Sequence, residues 1–139
     1  MKKVFELKIR VFTYVKPTED FDKVKKAVEN IYSGEILVFE EKNGYYRIEG
    51  FSTDLSSLNK FRELIRVKQI VTATRNYLLK RIKGNTLTIL LNKQVAYMKN
   101  ISLIDSDKES PLGAIWIEIE ADNIEDVINW LAPKIQHSL

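Results

Sequence analysis

Between Val4 and Phe12, apolar and polar side chains alternate. Phe5, Leu7, Ile9 and Val11 fall on one side, while Glu6, Lys8 and Arg10 fall on the other. A period of two over this length predicts a strand with one buried face. Phe12 belongs to the side away from the apolar set. Lys16-Pro17-Thr18 ends the strand, because proline cannot donate to a ladder and restrains the residue before it. The period then becomes helical: Phe21, Val24, Ala27, Val28 and Ile31 form one stripe, with Lys23, Lys26 and Asn30 opposite. Thr18 is the expected N-cap, with Glu19 and Asp20 in the first turn, and Gly34 is the expected left-handed terminus.

Glu35 to Glu40 reads as a short strand and Tyr45 to Phe51 as its return. Lys42-Asn43-Gly44 between them supplies the positive φ of a tight turn. Thr53 or Asp54 is placed to cap a second helix with Leu55, Leu58, Phe61, Leu64 and Ile65 on one side. A third helix is predicted from about Lys68 to about Lys80, with Ile70, Ala73, Tyr77 and Leu78 inward and Lys68, Thr72 and Arg75 outward. Lys83-Gly84-Asn85 leads into a strand over Thr86 to Leu91. Asn92-Lys93-Gln94 is predicted to reverse it, and Val95 to Ile104 to return. After a polar loop from Asp105 to Pro111, Leu112 to Ala121 predicts a strand with Ile115, Ile117, Ile119 and Ala121 inward. Trp116, Glu118 and Glu120 then point outward. Asp122 or Asn123 caps a last helix that buries Ile124, Val127, Ile128 and Leu131 and stops at Pro133. These elements predict one α+β domain over residues 1–139, a curved, mainly antiparallel sheet with helices packed on one face.

Composition narrows the class. With 139 residues, 45% hydrophobic and 29% charged, the chain can bury one core unaided. It has no cysteine, which excludes disulfides and thiolate metal sites. Its apolar runs are far too short to cross a membrane, and the alternating start is unlike a signal-peptide core, so a cytoplasmic protein is expected. Charge is unevenly spread. Lys60 to Lys83 carries eight basic side chains against Glu63, a local +7 in a chain of net +3. Asp105 to Asp126 carries eight acids against Lys108.

The residues offer little for catalysis. His137 is the one histidine and is the third residue from the end of the sequence, so no Ser/His/Asp or Cys/His set can be assembled. Asp105 to Glu109 lacks the mid-loop glycine and distant glutamate of a calcium loop. Glu118 and Glu120 fit a solvent-facing alternation. The five glycines stand singly at turns, not in a phosphate loop. No enzyme activity, metal or cofactor is predicted.

The basic stretch instead predicts phosphate contacts through Arg66, Lys68, Arg75, Lys80, Arg81, Lys83, Lys93 and Lys99. Lys68 and Arg75 are expected as a fixed pair on one helix, and Lys93 as a mobile contact in a turn. A solvated basic face with no partner is the competing reading. Tyr77 and Tyr97 lie on apolar faces and Tyr45 and Tyr46 flank a hairpin, so structured RNA held by its backbone is preferred to stacking of single-stranded bases. A different class is a homodimeric interaction module without RNA contact. Trp116 and Phe12, both on outward strand faces, would be its interface residues, and the basic middle of one copy could meet the acidic end of another.

Three segments, VKPTEDFDKVKKAVEN, LNKQVAY and SPLGAIWIEIEADNIEDVINWLAP, resemble in the same order an archaeal protein family described as RNA-binding and exosome-associated. The resemblance implies RNA as a partner, a setting in RNA processing or degradation, and a fold like a ribosomal large-subunit protein or a double-stranded-RNA-binding domain. The family pattern in the third helix is Ile-Leu-Asp-x-Ala-Arg. Here it reads Ile70-Val71-Thr72-Ala73-Thr74-Arg75. Arg75 matches, but Thr72 stands where an acid is expected, so a role for that acid does not transfer.

Overall fold

The computed structural model describes residues 6–135, so the predicted strand start at Val4 and Phe5, and His137, lie outside it. Strand β1 (Leu7–Val15) occupies the middle of the sheet, antiparallel to β3 (Tyr46–Ser52) on one side and to β7 (Ala114–Ala121) on the other. Beyond β3 lies β2 (Leu37–Glu40). Beyond β7 lie β5 (Thr86–Asn92) and then β4 (Ile82–Lys83), while the short β6 (Leu103–Ile104) also pairs with β5. Every pairing is antiparallel.

Alternation sorts the two faces as expected. Ile9, Val11, Ile48, Leu87, Ile89, Ile115, Ile117 and Ile119 are buried together with side chains from the helices. These helices are α1 (Phe21–Glu29), α2 (Asn59–Val67), α3 (Val71–Leu79), α4 (Lys93–Tyr97) and α5 (Ile124–Leu131). The buried helical residues Val24, Ala27, Phe61, Ile65, Leu78, Val127 and Ile128 all join this one core. The helices therefore cover one face and leave the other open.

Several local expectations need correction. Asp20, not Thr18, caps α1: its Oδ1 accepts from the Asp22 and Lys23 amides at 2.9 and 3.3 Å. The helix ends at Asn30, whose side-chain amide donates to the Ala96 and Tyr97 carbonyls at 3.0 and 3.2 Å. Gly34 is not a left-handed cap, since the positive-φ glycines are Gly44, Gly84 and Gly113. Its lack of a side chain answers a steric need, because a Cβ there would come within 2.5 Å of the Tyr32 hydroxyl.

Lys68 does not begin α3. It is the C-cap of α2, and Gln69, at φ 58°, turns the chain before α3 starts at Val71. That turn resets the helical phase, so Thr74 and Leu78 are buried while Ala73 is exposed. Lys68 and Arg75 are not partners on one helix. Nor do residues 95–104 form one return strand. Asn92 accepts from the Val95 amide at 3.0 Å and starts α4 instead, with only Leu103–Ile104 returning to the sheet. By contrast, Asn43 and Gly44 have the positive φ expected of their turn, and Asn123, one of the two candidates, caps α5. Asp54, one of the two candidates for the second helix, caps the 3-10 helix Leu55–Leu58 that leads into α2, whose own first turn has no side-chain cap.

Candidate nucleic-acid interface

The basic residues divide by what already holds them. Arg66 is exposed on α2 and pairs with Glu63 at 2.6 Å, one turn away. Lys68, Lys80, Lys83 and Lys99 are exposed, and among the described residues their side chains make no hydrogen bond or ion pair. A groove of about 630 Å³ at the α2–α3 junction is lined by Arg66, Gln69, Thr72, Ala73 and Asn76. A second, of about 480 Å³, is lined by Ala73, Asn76, Lys80 and Arg81. Because both include Ala73 and Asn76, the exposed side of α3 joins Arg66 to Lys80 in one surface.

Three of the predicted cations are committed to the fold. Arg75 Nη1 donates to Asn129 Oδ1 at 2.8 Å and to the Ala132 carbonyl at 3.1 Å, clamping α3 to α5. Arg81 donates to the carbonyls of Thr88 and Asp105 at 2.8 and 3.2 Å, with its guanidinium 5.1 Å from the Tyr77 ring centre. Lys93 is 3% exposed. Its ammonium donates to the Tyr14 and Leu112 carbonyls, each at 2.7 Å, and to Glu19 at 3.0 Å. Burial pushes its pKa down, and the Glu19 carboxylate opposes that shift. The mobile phosphate contact expected of Lys93 is thus corrected: its three N–H bonds are spent inside the protein.

The open face of the sheet has its own organisation. Phe12 and Trp116 are register partners on β1 and β7, and their rings stack with centres 5.7 Å apart and planes 13° apart. The Arg10 guanidinium lies 3.9 Å from the centre of the Phe12 ring. Phe12 is therefore outward-facing yet only 8% exposed, covered by its neighbours and not the free anchor expected of it. Trp116 is half-buried beside Leu90, Ile104 and Ala114.

Around that stack runs a chain of ion pairs. Arg10 bonds both Glu49 and Glu118, the latter at 3.0 Å, while Arg47 bonds both Glu49, at 3.1 Å, and Glu41. Burial opposes the charge on Arg10, but the bonds to Glu49 and Glu118 outweigh it and raise its pKa. Arg47 also lies 4.5 Å from the Phe39 ring centre. Tyr14, Phe39 and Phe51 are exposed on this same side. A groove of about 830 Å³ crosses the face, lined by Lys8, Arg10, Phe51, Thr88, Glu118 and Glu120. Arg10, Arg47, Tyr14 and Phe51 are not among the residues predicted to make contacts, although alternation with Ile9, Val11 and Ile48 puts them on this face.

Among the described residues, no group of three or more histidine, cysteine, aspartate or glutamate side chains is placed to hold a metal ion. No described helix is long and apolar enough to cross a membrane.

A family model described as RNA binding matches residues 8–121, from the groove residue Lys8 to the end of β7. A UPF0201 protein of Sulfurisphaera tokodaii is 44% identical over 128 residues, covering 91% of this chain and 88% of that protein. One from Saccharolobus solfataricus is 39% identical over 140 residues, covering 96% and 92%. The crystal structure of a UPF0201 protein from Methanococcus jannaschii superposes with a TM-score of 0.80 at 31% identity, covering 93% of this chain and 95% of that one. These likenesses span most of the chain, which belongs to the UPF0201 family of archaeal proteins and to the family whose model is described as RNA binding.

Proposed function

We propose that this is a non-catalytic RNA-binding protein that holds the phosphate backbone through a basic strip. The observation that carries this reading is the run of exposed cations Arg66, Lys68, Lys80 and Lys83 along α2, α3 and β4, with the exposed side of α3 connecting them. The ammonium groups of Lys68, Lys80 and Lys83, which have no side-chain partner among the described residues, are free to replace the counterions of a polyanion, while Arg66 shares its charge with the exposed Glu63. Lys99, exposed after α4, is an outlying contact of the same kind. The buried side chains of Glu49, Glu19 and Lys93 are each engaged in ion pairs that serve the fold. RNA processing or degradation, implied by the sequence resemblance, is a setting that would present such RNA.

The test is a salt titration with a structured RNA, wild type against a Lys80→Glu/Lys83→Glu variant. Affinity should fall steeply with salt. The variant should lower the logarithmic salt slope by about 1 for each contact removed. A flat salt response, or equal slopes for the two proteins, would overturn the assignment.

A further inference from the structure

We infer that the open face of the sheet is a stacking site for unpaired nucleobases, with Phe51 and Tyr14 as platforms beside the Phe12–Trp116 pair. This rests on the RNA-binding reading and adds the state of the RNA: a single-stranded segment reaches this face.

Phe51 is the clearest sign. It is 59% exposed, lies opposite Arg10 in the β1–β3 register and forms one wall of the groove of about 830 Å³. Its ring belongs neither to the main core on the other face nor to the small cluster of Leu90, Ile104 and Ala114 on this one. A groove of this size is within the range of small-molecule sites, roughly 300–1,000 Å³. Its chemistry is also mixed as a base requires. Phe51 offers a flat apolar surface, while Thr86, Thr88, Glu118 and Lys8 offer hydrogen-bonding groups for a base edge.

The carboxylates of Glu118 and Glu120 repel phosphate, so the backbone must run along the rim. Lys83 supplies that rim. It pairs with Thr86 across β4 and β5 and so shares the side on which Thr86 lines the groove. Lys83 is also the end of the basic strip. Phosphates held at Lys80 and Lys83 would let bases turn inward over Thr86 and Thr88 toward Phe51. From β4 to β3 are four strand steps, roughly 19 Å at about 4.8 Å each, which is room for a short oligonucleotide.

A second copy of the chain fits this face less well. Its middle is crossed by the ion-pair chain from Glu118 through Arg10 and Glu49 to Arg47, whereas the cores of protein interfaces are depleted of charge. Aromatic rings and guanidinium groups are the surfaces on which splayed bases stack, and here Arg10 lies over the Phe12 ring and Arg47 over the Phe39 ring.

The experiment compares three fluorescent RNAs by anisotropy: a ten-nucleotide oligoadenylate, an abasic oligomer of the same length, and a hairpin duplex. The proteins are wild type, Phe51→Ala and Lys83→Glu, with Tyr14→Ala as a second ring variant should Phe51→Ala not fold. Oligoadenylate should bind wild type more tightly than the abasic oligomer. Phe51→Ala should weaken oligoadenylate about 5- to 150-fold, the range for losing one stacked base, and leave the abasic oligomer unchanged. Lys83→Glu should weaken both. If oligoadenylate and the abasic oligomer bind equally, or the ring variants leave oligoadenylate affinity unchanged, the inference is overturned while hairpin binding still supports RNA binding. If no RNA binds at low salt, both readings fail. A wild-type dimer in sedimentation that Phe51→Ala dissociates would assign the face to a second copy and overturn the inference.

Discussion

The Lys93 ammonium lies 3.0 Å from a Glu19 carboxylate oxygen, with the two side chains only 3% and 5% exposed. Glu19 also accepts from the Lys16 amide at 3.0 Å, and Lys93 reaches the Tyr14 and Leu112 carbonyls. One ammonium thus joins the end of β1, the approach to α1, the start of α4 and the loop before β7. Lys93→Met would leave Glu19 buried without its cation. It should cost about 3–5 kcal/mol of unfolding free energy, read from urea denaturation. Glu19→Gln keeps an acceptor for Lys93 and should cost less. Equal stability of wild type and Lys93→Met would show that the ion pair holds nothing together.

Asp54 provides a pH signature. Its Oδ1 accepts from the Ser56 amide at 2.9 Å at the start of the 3-10 helix Leu55–Leu58. The hydrogen bonds from Ser56 favour the ionised form and lower its pKa from the ordinary 3.8. A folded pKa below the unfolded one adds stability that is complete above about 3.8 and is lost as pH falls through the folded value. Asp54→Ala should therefore melt below wild type at pH 7, and the gap should close in acid. Asp54→Asn retains a capping oxygen without the titration. A gap that does not narrow in acid would mean that the carboxylate charge is irrelevant there.

What the sequence made legible follows the range of each interaction. The β7 alternation from Ile115 to Ala121 and the buried Val24, Ala27 and Val28 of α1 are decided within a few residues and are found as read, and Asn123, one of two candidates, caps α5. Asn30, expected opposite the α1 stripe, is buried instead, because its partners are the distant Ala96 and Tyr97 carbonyls. The phase of α3 was not legible, because Gln69 is a non-glycine residue at positive φ, a geometry that its side chain does not advertise. Lys93 looks solvent-facing in its local context. Its acceptors come from residues 14, 19 and 112, so only the tertiary fold explains its burial. The open face depended on register for the same reason. Phe12 and Trp116 each read as outward, but their stacking requires β1 to lie beside β7 with those two residues opposed.

Arg75 and Lys68, alike in the sequence reading, should separate by experiment. Arg75→Ala removes donors to Asn129 and to the carbonyl of the fully buried Ala132. It should lower stability by about 1–3 kcal/mol while RNA affinity stays near wild type. Lys68→Glu should do the reverse, weakening RNA binding with its denaturation midpoint nearly unchanged, because the side chain is exposed at the end of α2. If Arg75→Ala weakens RNA binding as much as Lys68→Glu at unchanged stability, the clamp between α3 and α5 is not its role.

Tyr32 makes β3 intolerant of one added methyl group. The ring is 1% exposed, and its hydroxyl donates to the Phe51 carbonyl at 3.1 Å. A Cβ at Gly50 would come within 2.5 Å of Tyr32 Cε2 and 2.7 Å of Cζ, closer than any unstrained carbon contact. The φ at Gly50 is not positive, so the obstacle is the ring and not the backbone. Gly50→Ala gains about 0.4–1 kcal/mol by restricting the unfolded chain. Crowding the core costs about 1–3 kcal/mol, and the net effect should be destabilising. Tyr32→Leu removes the ring atoms that would clash, so Gly50→Ala should cost less in that background. The difference between the two costs is the coupling energy of the pair, measured by a double-mutant cycle in urea. An identical cost in both backgrounds would place the obstacle somewhere other than Tyr32.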